Sequence, residues 1–229
     1  MAKRSYFSKQ TFKFLRDLKK NNDRDWFKAN KGRYEEHVKA PILAFVEDLQ
    51  PAMAKVSEHI VVSPKPVGGS MFRIYRDTRF GKDKSPYKTH AAMQFRHVAG
   101  KDVHAPGFYL HLEPGDVFMG GGMWRPDSKS LFAIRTRLAD DPKGWKKITG
   151  AKVFRTHFEL HGESLKRPPR GFDPEHPFVE DLKRKDFIAV SSFDPEAPLS
   201  DAFMADFVKR CRATTPFMRW LCEAVELGF

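Results

Sequence analysis

The residues best able to do chemistry are concentrated in one stretch, MFRIYRDTRFGKDKSPYKTH, which spans residues 71–90. Six of its side chains are lysine or arginine, and only two, Asp77 and Asp83, are acidic. Because neighbouring like charges repel one another unless a counter-charge intervenes, this composition predicts a binding site for an anion. Guanidinium groups favour bidentate contacts with phosphate or carboxylate, and ammonium groups act as point charges. The predicted ligand-binding residues are Arg73, Arg76, Arg79, Lys84, Tyr87, Lys88 and Trp124, the last from a later segment.

Two residues are candidates for catalysis. Asp77 lies among the arginines of this stretch, and His111 lies on a downstream segment where it could act as an acid or a base, as could His90. Positive groups around such a pair are typical of phosphoryl-transfer sites, where they stabilise developing negative charge. The alternative is that Asp77 only orients Arg73 or Arg76. If the arginines bind an anion, Arg76→Ala is expected to abolish that binding and to leave the thermal stability nearly unchanged.

A strand, a loop and three further strands are predicted to position these side chains. Apolar and polar residues alternate over residues 71–77, which is the period of a strand, and Ser85-Pro86 then indicates a loop. Alternation resumes in three segments joined by short connections, which predicts antiparallel neighbours. These segments are residues 89–98, 107–113 and 116–123.

Helices are predicted on both sides of this sheet region. A helix over residues 8–20 begins with Ser8 as its N-cap, and another begins at Asp127 or Ser128. A further helical region is predicted from near Asp23 to residue 56, with its apolar periodicity beginning at Tyr34. The remaining predictions are a helix at 176–185, a helical region at 200–226 interrupted at Pro216, and strands at 153–160 and 187–193. Because strands and helices are segregated rather than alternating, the predicted fold is α+β. We expect a single domain, residues 1–229, with a mainly antiparallel sheet and helices from both chain ends packed on it.

Three consecutive glycines, Gly120 to Gly122, end the third of these strands. Such a run weakens a strand, so it predicts a bulge or a close approach of another group to the backbone. The alternative is a cradle for an anion in front of the following helix, although the run fits no nucleotide-binding pattern.

The segment THFELHG would place His157, Glu159 and His161 on one face if it formed a strand, and such a set could bind a metal ion. A solvent-facing polar edge is the preferred interpretation, because no established metal-ligand spacing supports the site. No metal site is therefore predicted, and no particular cofactor is indicated. The chain also has no G-x-S-x-G motif, which argues against one large class of nucleophilic hydrolases.

The formal net charge of +12 favours polyanionic partners, such as nucleic acids or phosphorylated metabolites. An anionic small molecule is the expected partner, and nucleic acid is the alternative. The sequence has no apolar run of about 18 residues, so no membrane partner is expected. MAKRSYF leads into a helix rather than an apolar signal segment, and Cys211 and Cys222 are too far apart along one helix to bridge. Both observations predict a cytoplasmic protein.

Four segments together resemble the domain-of-unknown-function family 2461. They are RIYRDTRFGKDKSPYKTH, FLRDLKKNNDRDWF, GFYLHLEPGDVFMGGGMW and RPPRGFDPEHP, so the resemblance extends over nearly the whole chain. It implies a single domain and a cytoplasmic bacterial setting, but no particular activity. The family pattern marks Arg73, Arg76, Asp77, Arg79, Phe80, Lys84 and Tyr87.

Three functions are compatible with these observations. The first is binding, with or without turnover, of a phosphorylated or otherwise anionic small molecule or nucleotide at residues 71–90. The second is a nucleic-acid-binding module whose positive charge follows a phosphate backbone. The third is a structural or interaction protein in which the arginines form internal ion pairs. The sequence does not decide whether the protein is an enzyme.

Overall fold

A five-stranded antiparallel sheet lies at the centre of the fold, in a computed structural model that describes residues 4–79, 82–100 and 104–229. The strands are β1 (Ala91–Arg96), β2 (Gly107–Glu113), β3 (Asp116–Met123), β4 (Glu159–His161) and β5 (Phe187–Ser192). Their order across the sheet is β1-β2-β3-β5-β4, and every neighbouring pair is antiparallel. The strands predicted at residues 89–98, 107–113 and 116–123 are therefore present as β1, β2 and β3.

Helices precede and follow these first three strands. The N-terminal helices are α1 (Lys9–Lys20), α2 (Arg24–Ala29), α3 (Lys31–Tyr34) and α4 (Ala40–Ala54), with a π-helical turn at Glu35–Lys39. The later helices are α5 (Ser128–Asp140), α6 (Pro142–Thr149), α7 (Lys152–His157), α8 (Val179–Leu182), α9 (Phe203–Ala213) and α10 (Thr215–Ala224), with a 3-10 turn at Ala197–Leu199. Within the ranges described, none of these helices is both long and apolar enough to cross a bilayer.

The predicted helix caps are present. At α1 the Ser8 hydroxyl accepts the backbone N–H of Gln10, and the Ser8 N–H donates to the hydroxyl of Thr11. At α5 the Asp127 carboxylate accepts the backbone N–H of Ser130 at 2.7 Å. The backbone N–H groups in a first helical turn have no partner within the helix, so these side chains define where the helices begin.

Helices from both chain ends pack on one face of the sheet. The ring centroid of Phe207 on α9 lies 5.7 Å from that of Phe95 on β1 and 6.2 Å from that of Phe45 on α4. Alternate residues of each strand point to the opposite face, which carries Ala92 and Tyr109. The fold is thus α+β with a single antiparallel sheet, as the segregated pattern predicts.

The strand predicted for residues 71–77 is wrong in its regularity. Only isolated bridges form there, between Met71 and Met93 and between Tyr75 and Tyr87. The backbone N–H of Phe72 still donates to β1, but beyond it the chain pairs with its own return near residue 87. The segment therefore changes partners halfway, and no continuous ladder develops.

The strand predicted for residues 153–160 is also wrong. Helix α7 occupies most of this range, and β4 begins only at Glu159. Phe154 packs against Phe217 of α10 at 5.6 Å between ring centroids, so tertiary contact favours the helix over the local strand propensity. His157 consequently lies on a helix and does not share a strand face with Glu159 and His161.

Candidate functional site

A cavity of about 450 Å³ lies on the sheet face opposite the packed helices. Its floor is formed by small or flat side chains of β1, β2, β3 and β5, and its walls come mainly from residues 71–90, which we call the basic segment, and from Trp124. The residues that carry its chemistry are Phe72, Lys88, His90, Gln94, Tyr109 and Trp124. The cavity is predominantly apolar, as is usual for small-molecule sites.

The glycine run in β3 makes room for this cavity. Gly120 faces it, and a side chain there would begin to fill the space next to Ile188, whose methyl group lies 3.3 Å from the position of the missing Cβ. Gly122 has φ of +144°, and a Cβ there would lie 2.0 Å from the carbonyl oxygen of Phe187. The close backbone approach predicted for this run is therefore present.

The basic segment is held in place by a backbone bond to β1, by a backbone bond within the segment and by an aromatic contact with α2. The N–H of Phe72 donates to the carbonyl of Ala92 at 3.0 Å, and the N–H of Lys88 donates to the carbonyl of Ile74 at 2.8 Å. Tyr87 is buried and its ring stacks on Phe27 at 4.1 Å between centroids. Tyr87 is thus a packing residue rather than a cavity residue in the structure.

The side chain of Asn22 forms two hydrogen bonds with the backbone of the basic segment. The amide of Asn22 accepts the backbone N–H of Tyr87 at 3.0 Å and donates to its carbonyl at 2.9 Å. Asn22 lies directly after α1, so this pair of bonds ties the basic segment to the N-terminal helices.

Two of the three predicted arginines form ion pairs within the basic segment. Arg76 binds the carboxylate of Asp83, and Arg79 binds that of Asp77 at 2.7 Å. The Arg79 hydrogen bonds lower the pKa of Asp77 to about 2. All four side chains are exposed. Asp77 is paired with Arg79 rather than with Arg73 or Arg76.

The other residues predicted around these arginines are dispersed. The Lys84 ammonium donates to the carbonyl of Thr78 at 2.8 Å, on the exposed side of the segment. Phe80, which the family pattern marks, lies outside the described residues. None of Arg76, Arg79 and Lys84 lines the part of the cavity that the structure describes.

Lys88 is the cation that lines the cavity, and the exposed Arg73 lies beside it in the structure. The Lys88 ammonium is half-buried, donates to the carbonyl of Arg73 at 2.9 Å and lies 5.3 Å from the ring centroid of Phe72. Burial, and secondarily the charge of Arg73, lowers the pKa of Lys88. Neither cation takes part in an ion pair among the described residues. No described carboxylate therefore lies within 4 Å of either of them.

His111 belongs to a cluster at one end of the cavity. Its ring stacks on Phe118 at 4.6 Å and lies 4.4 Å from the ring of His90, both between centroids. Its Nδ1 is 2.9 Å from the hydroxyl of Tyr109, and its Nε2 is 3.5 Å from Oε2 of Glu113. The cluster therefore combines two imidazoles, a phenol and a carboxylate.

Burial sets the protonation states of this cluster. It lowers the pKa of His90 to about 4, with the neighbouring His111 contributing in the same direction, and it lowers the pKa of His111 as well. Burial also raises the pKa of Tyr109 to about 12. Near neutral pH the two imidazoles are uncharged and the phenol keeps its proton.

The structure brings together some of the predicted residues and separates others. Lys88 and Trp124 line the cavity, and His111 contacts its lining residues His90 and Tyr109. Asp77 shares no hydrogen bond or ion pair with His111 in the described part of the chain, so the two predicted catalytic residues do not form one constellation there.

The grouping of His90, His111 and Glu113 was not foreseen, since the sequence predicts no metal site. All three offer ligand atoms that lie within 4.8 Å of one another. His111 and Glu113 share one face of β2 by simple alternation, which the sequence reveals. The place of His90 beside them depends on the register between β1 and β2, which pairs Ala91 with Leu112 and which alternation alone does not define.

Comparison with known proteins identifies the chain at the level of a family. A search of curated proteins finds no match. The sequence profile of the conserved hypothetical protein family DUF2461 matches residues 10–220, which is most of the chain and includes the whole sheet and the cavity. The chain therefore belongs to the family of conserved hypothetical proteins DUF2461.

Proposed function

We propose that the protein binds a small organic anion in the cavity on the sheet. The apolar body of the ligand would lie against the cavity walls, and its phosphate or carboxylate group would lie at Lys88. This proposal keeps the anionic ligand predicted from the sequence. It moves the centre of the site from the arginines to the lysine that faces the cavity.

The ammonium of Lys88 is the observation that carries this proposal. It is half-buried in a mostly apolar wall, and the neighbouring charge of Arg73 is positive. Among the described residues, no carboxylate lies within 4 Å of it. A buried charge without a counter-ion is unfavourable, and an anionic ligand would supply the missing charge. Charge-assisted hydrogen bonds of this kind are also stronger than neutral ones.

The size and walls of the cavity support a ligand with an apolar or aromatic body. Its volume of about 450 Å³ lies within the range of about 300–1,000 Å³ that is usual for small-molecule pockets. Phe72, Phe118 and Trp124 line the cavity with aromatic surface, and Gly120 leaves the floor open. Gln94 and Tyr109 add polar groups that can orient the ligand.

The arginines have a secondary role in this proposal. The guanidinium groups of Arg76 and Arg79 already face Asp83 and Asp77, so they contribute mainly long-range attraction for an anion. The predicted loss of binding in Arg76→Ala is a direct test of this point. A loss as large as that caused by removing the Lys88 charge would place the anionic group on the arginines instead.

The proposal is tested by pairing ligands and variants that differ only in charge. A thermal-shift screen of aromatic phosphates and carboxylates, each with its neutral analogue, identifies the ligand, since one present at 100 times its dissociation constant stabilises the protein by about 2.7 kcal/mol. Calorimetry then compares Lys88→Met with Lys82→Met, a matched change at an exposed lysine of the same segment. We expect Lys88→Met to weaken binding at least about tenfold, the equivalent of one charge-assisted hydrogen bond, and Lys82→Met to have little effect.

Three results would overturn the proposal. They are equal binding of the neutral analogues, equal affinity of Lys88→Met and Lys82→Met, and undiminished binding to Gly120→Val, in which the cavity floor is filled. Oligonucleotide binding that weakens steeply with salt and that survives Gly120→Val would identify a nucleic-acid-binding module instead.

A further inference from the structure

The side chains of His90, His111 and Glu113 have the spacing of a metal-binding set. Their ligand atoms all lie within 4.8 Å of one another, and Nε2 of His111 is 3.5 Å from Oε2 of Glu113. Bonds of about 2.0–2.2 Å to a tetrahedral metal ion place two ligand atoms about 3.4 Å apart. The His111–Glu113 pair already has this separation, and small side-chain rotations would bring His90 to it.

The His111–Glu113 contact is long for a hydrogen bond. The separation of 3.5 Å exceeds the range of about 2.7–3.2 Å for N–H···O bonds. The other oxygen of the carboxylate, Oε1, has closer partners, since it accepts from the hydroxyl of Thr89 at 3.2 Å and from the ammonium of Lys19 at 3.3 Å. The carboxylate is therefore anchored through one oxygen and presents the other to the imidazoles.

The ring of His111 is held in a complementary way. Its Nδ1 lies 2.9 Å from the hydroxyl of Tyr109, and its face stacks on Phe118. If Nδ1 donates its proton to the phenol oxygen, the lone pair of Nε2 is directed towards Glu113. Histidine and carboxylate ligands of metals are commonly oriented by outer hydrogen bonds of this type.

The pairing of β1 with β2 supplies the spacing. Ala91 lies opposite Leu112 and Ala92 opposite His111, so His90 extends β1 to the position opposite Glu113. The small side chain of Ala92 leaves room in front of the His111 ring. All three candidate ligands come from one face of two adjacent strands, which leaves the remaining side of a bound ion free.

We infer that His90, His111 and Glu113 form a binding site for a divalent transition-metal ion. Two imidazoles and one carboxylate suit Zn²⁺, Fe²⁺ or Mn²⁺, whereas Mg²⁺ and Ca²⁺ prefer sites built from oxygen alone. Three protein ligands leave coordination positions for water or another molecule. His90 also lines the cavity, so these positions open towards it.

The inference is tested by metal binding to the full chain without any organic ligand. Protein freed of metal with a chelator is titrated with Zn²⁺ by calorimetry and with Co²⁺ by visible absorption, which reports the donor atoms and geometry. We expect one ion per chain and the absorption bands of a nitrogen–oxygen site. Glu113→Gln and His90→Ala are expected to abolish these bands.

Two further variants separate a metal site from a structural cluster. Tyr109→Phe removes only the bond that orients His111, and we expect it to weaken Zn²⁺ binding about 10–100-fold, as loss of such outer contacts usually does. The matched control is His161→Ala, which removes an exposed imidazole 3.6 Å from Glu159 and should leave the affinity unchanged. Circular dichroism of each metal-free variant confirms that it is folded.

The outcomes are distinct from those of the anion-binding test. Absence of saturable binding by the folded protein, or equal affinity of Glu113→Gln, His90→Ala and the His161→Ala control, would overturn the metal site. Neither result changes the expectation that Lys88→Met weakens anion binding, because that measurement needs no metal. Conversely, a metal site that forms normally in Lys88→Met stands even if no anionic ligand is found.

Discussion

Burial changes the ionic behaviour of His90 and Lys88 in the same direction. Each side chain loses water around its charged form, so the pKa of each falls. The consequences differ because histidine is neutral near pH 7 once its pKa is lowered. A lysine that keeps its charge in the same place is unfavourable unless a counter-ion lies next to it. The two residues therefore present a neutral nitrogen donor and a cation within one cavity wall.

The imidazole of His90 should titrate near pH 4 rather than near 6.5. Besides burial, the charges of His111, Lys88 and Arg76 disfavour its protonation, and Glu113 favours it. The folded state thus binds this proton more weakly than the unfolded chain, so its contribution to stability is complete above about pH 6.5 and is lost as the pH falls towards about 4. NMR titration of the metal-free protein measures the pKa directly.

A variant isolates this contribution from that of other groups. His90→Gln cannot take up the proton, so its melting temperature should fall less than that of the original protein between pH 6.5 and pH 4. An equal fall in both proteins would contradict the assignment to His90.

Single residues were predictable to the extent that their type alone determines their role. Lys88 and Trp124 line the cavity, and their contact with a ligand stays a prediction. Charge composition could not distinguish Lys88 from Arg76 and Arg79, because their counter-ions, Asp83 and Asp77, become apparent only when the chain has folded.

At the scale of elements, the glycine run of β3 shows that adjacent glycines serve different purposes. Gly120 keeps the floor of the cavity open, and Gly121 lies on the helix-packed face, where a Cβ would be 3.3 Å from the ring of Phe108. Gly122 occupies a backbone conformation that residues with side chains rarely adopt. The three glycines at the end of β3 thus leave space for the cavity, for the core and for close pairing with β5, respectively.

We expect Gly122→Ala to lower the free energy of unfolding by about 1–3 kcal/mol, since it combines a left-handed φ with a collision between Cβ and the Phe187 carbonyl. Gly120→Ala is the matched control in the same strand. Its Cβ would meet a methyl group of Ile188 at 3.3 Å and the Cβ of Tyr109 at 3.9 Å, so the change should stay within about 1 kcal/mol. Urea denaturation of both variants measures the difference, and similar losses at the two positions would refute this account.

Regular elements were predictable where one periodicity persisted. β1, β2 and β3 show clear alternation, and the caps at Ser8 and Asp127 mark helix starts by their own chemistry. The basic segment also alternates, but it changes pairing partner near residue 73, which no local pattern reveals. The grouping of His90 with Glu113 depends on strand register, which no local sequence pattern reveals either.

At the scale of the whole molecule, helices from both chain ends cover one face of the sheet and leave the other to form the cavity. The segregated arrangement of helices and strands was sufficient to predict the α+β class. It did not locate the cavity, because a concave surface depends on which sheet face the helices leave uncovered. The helix-packed side also encloses both cysteines, Cys211 and Cys222, which are free thiols.

The two thiols should be unreactive in the folded protein. Burial raises the pKa of Cys211 and raises that of Cys222 to about 12, so little thiolate is present even at mildly alkaline pH. We expect a disulfide reagent such as DTNB to label neither thiol in native protein at pH 7–9 and to label both after denaturation. The control is Lys129→Cys, which places a thiol at an exposed position of α5 and should react at once. Rapid labelling of the native protein that lacks this substitution would contradict the expectation and show that the helical layer opens.

The backbone bonds between the basic segment and β1 have a further effect. β1 is an outer strand of the sheet, and its exposed edge is occupied by Ser70 and Phe72, which exchange hydrogen bonds with Gln94 and Ala92. Unprotected strand edges invite pairing with other chains and hence aggregation. The chain around Ser70 and Phe72 therefore covers this edge and hinders pairing of β1 with another molecule.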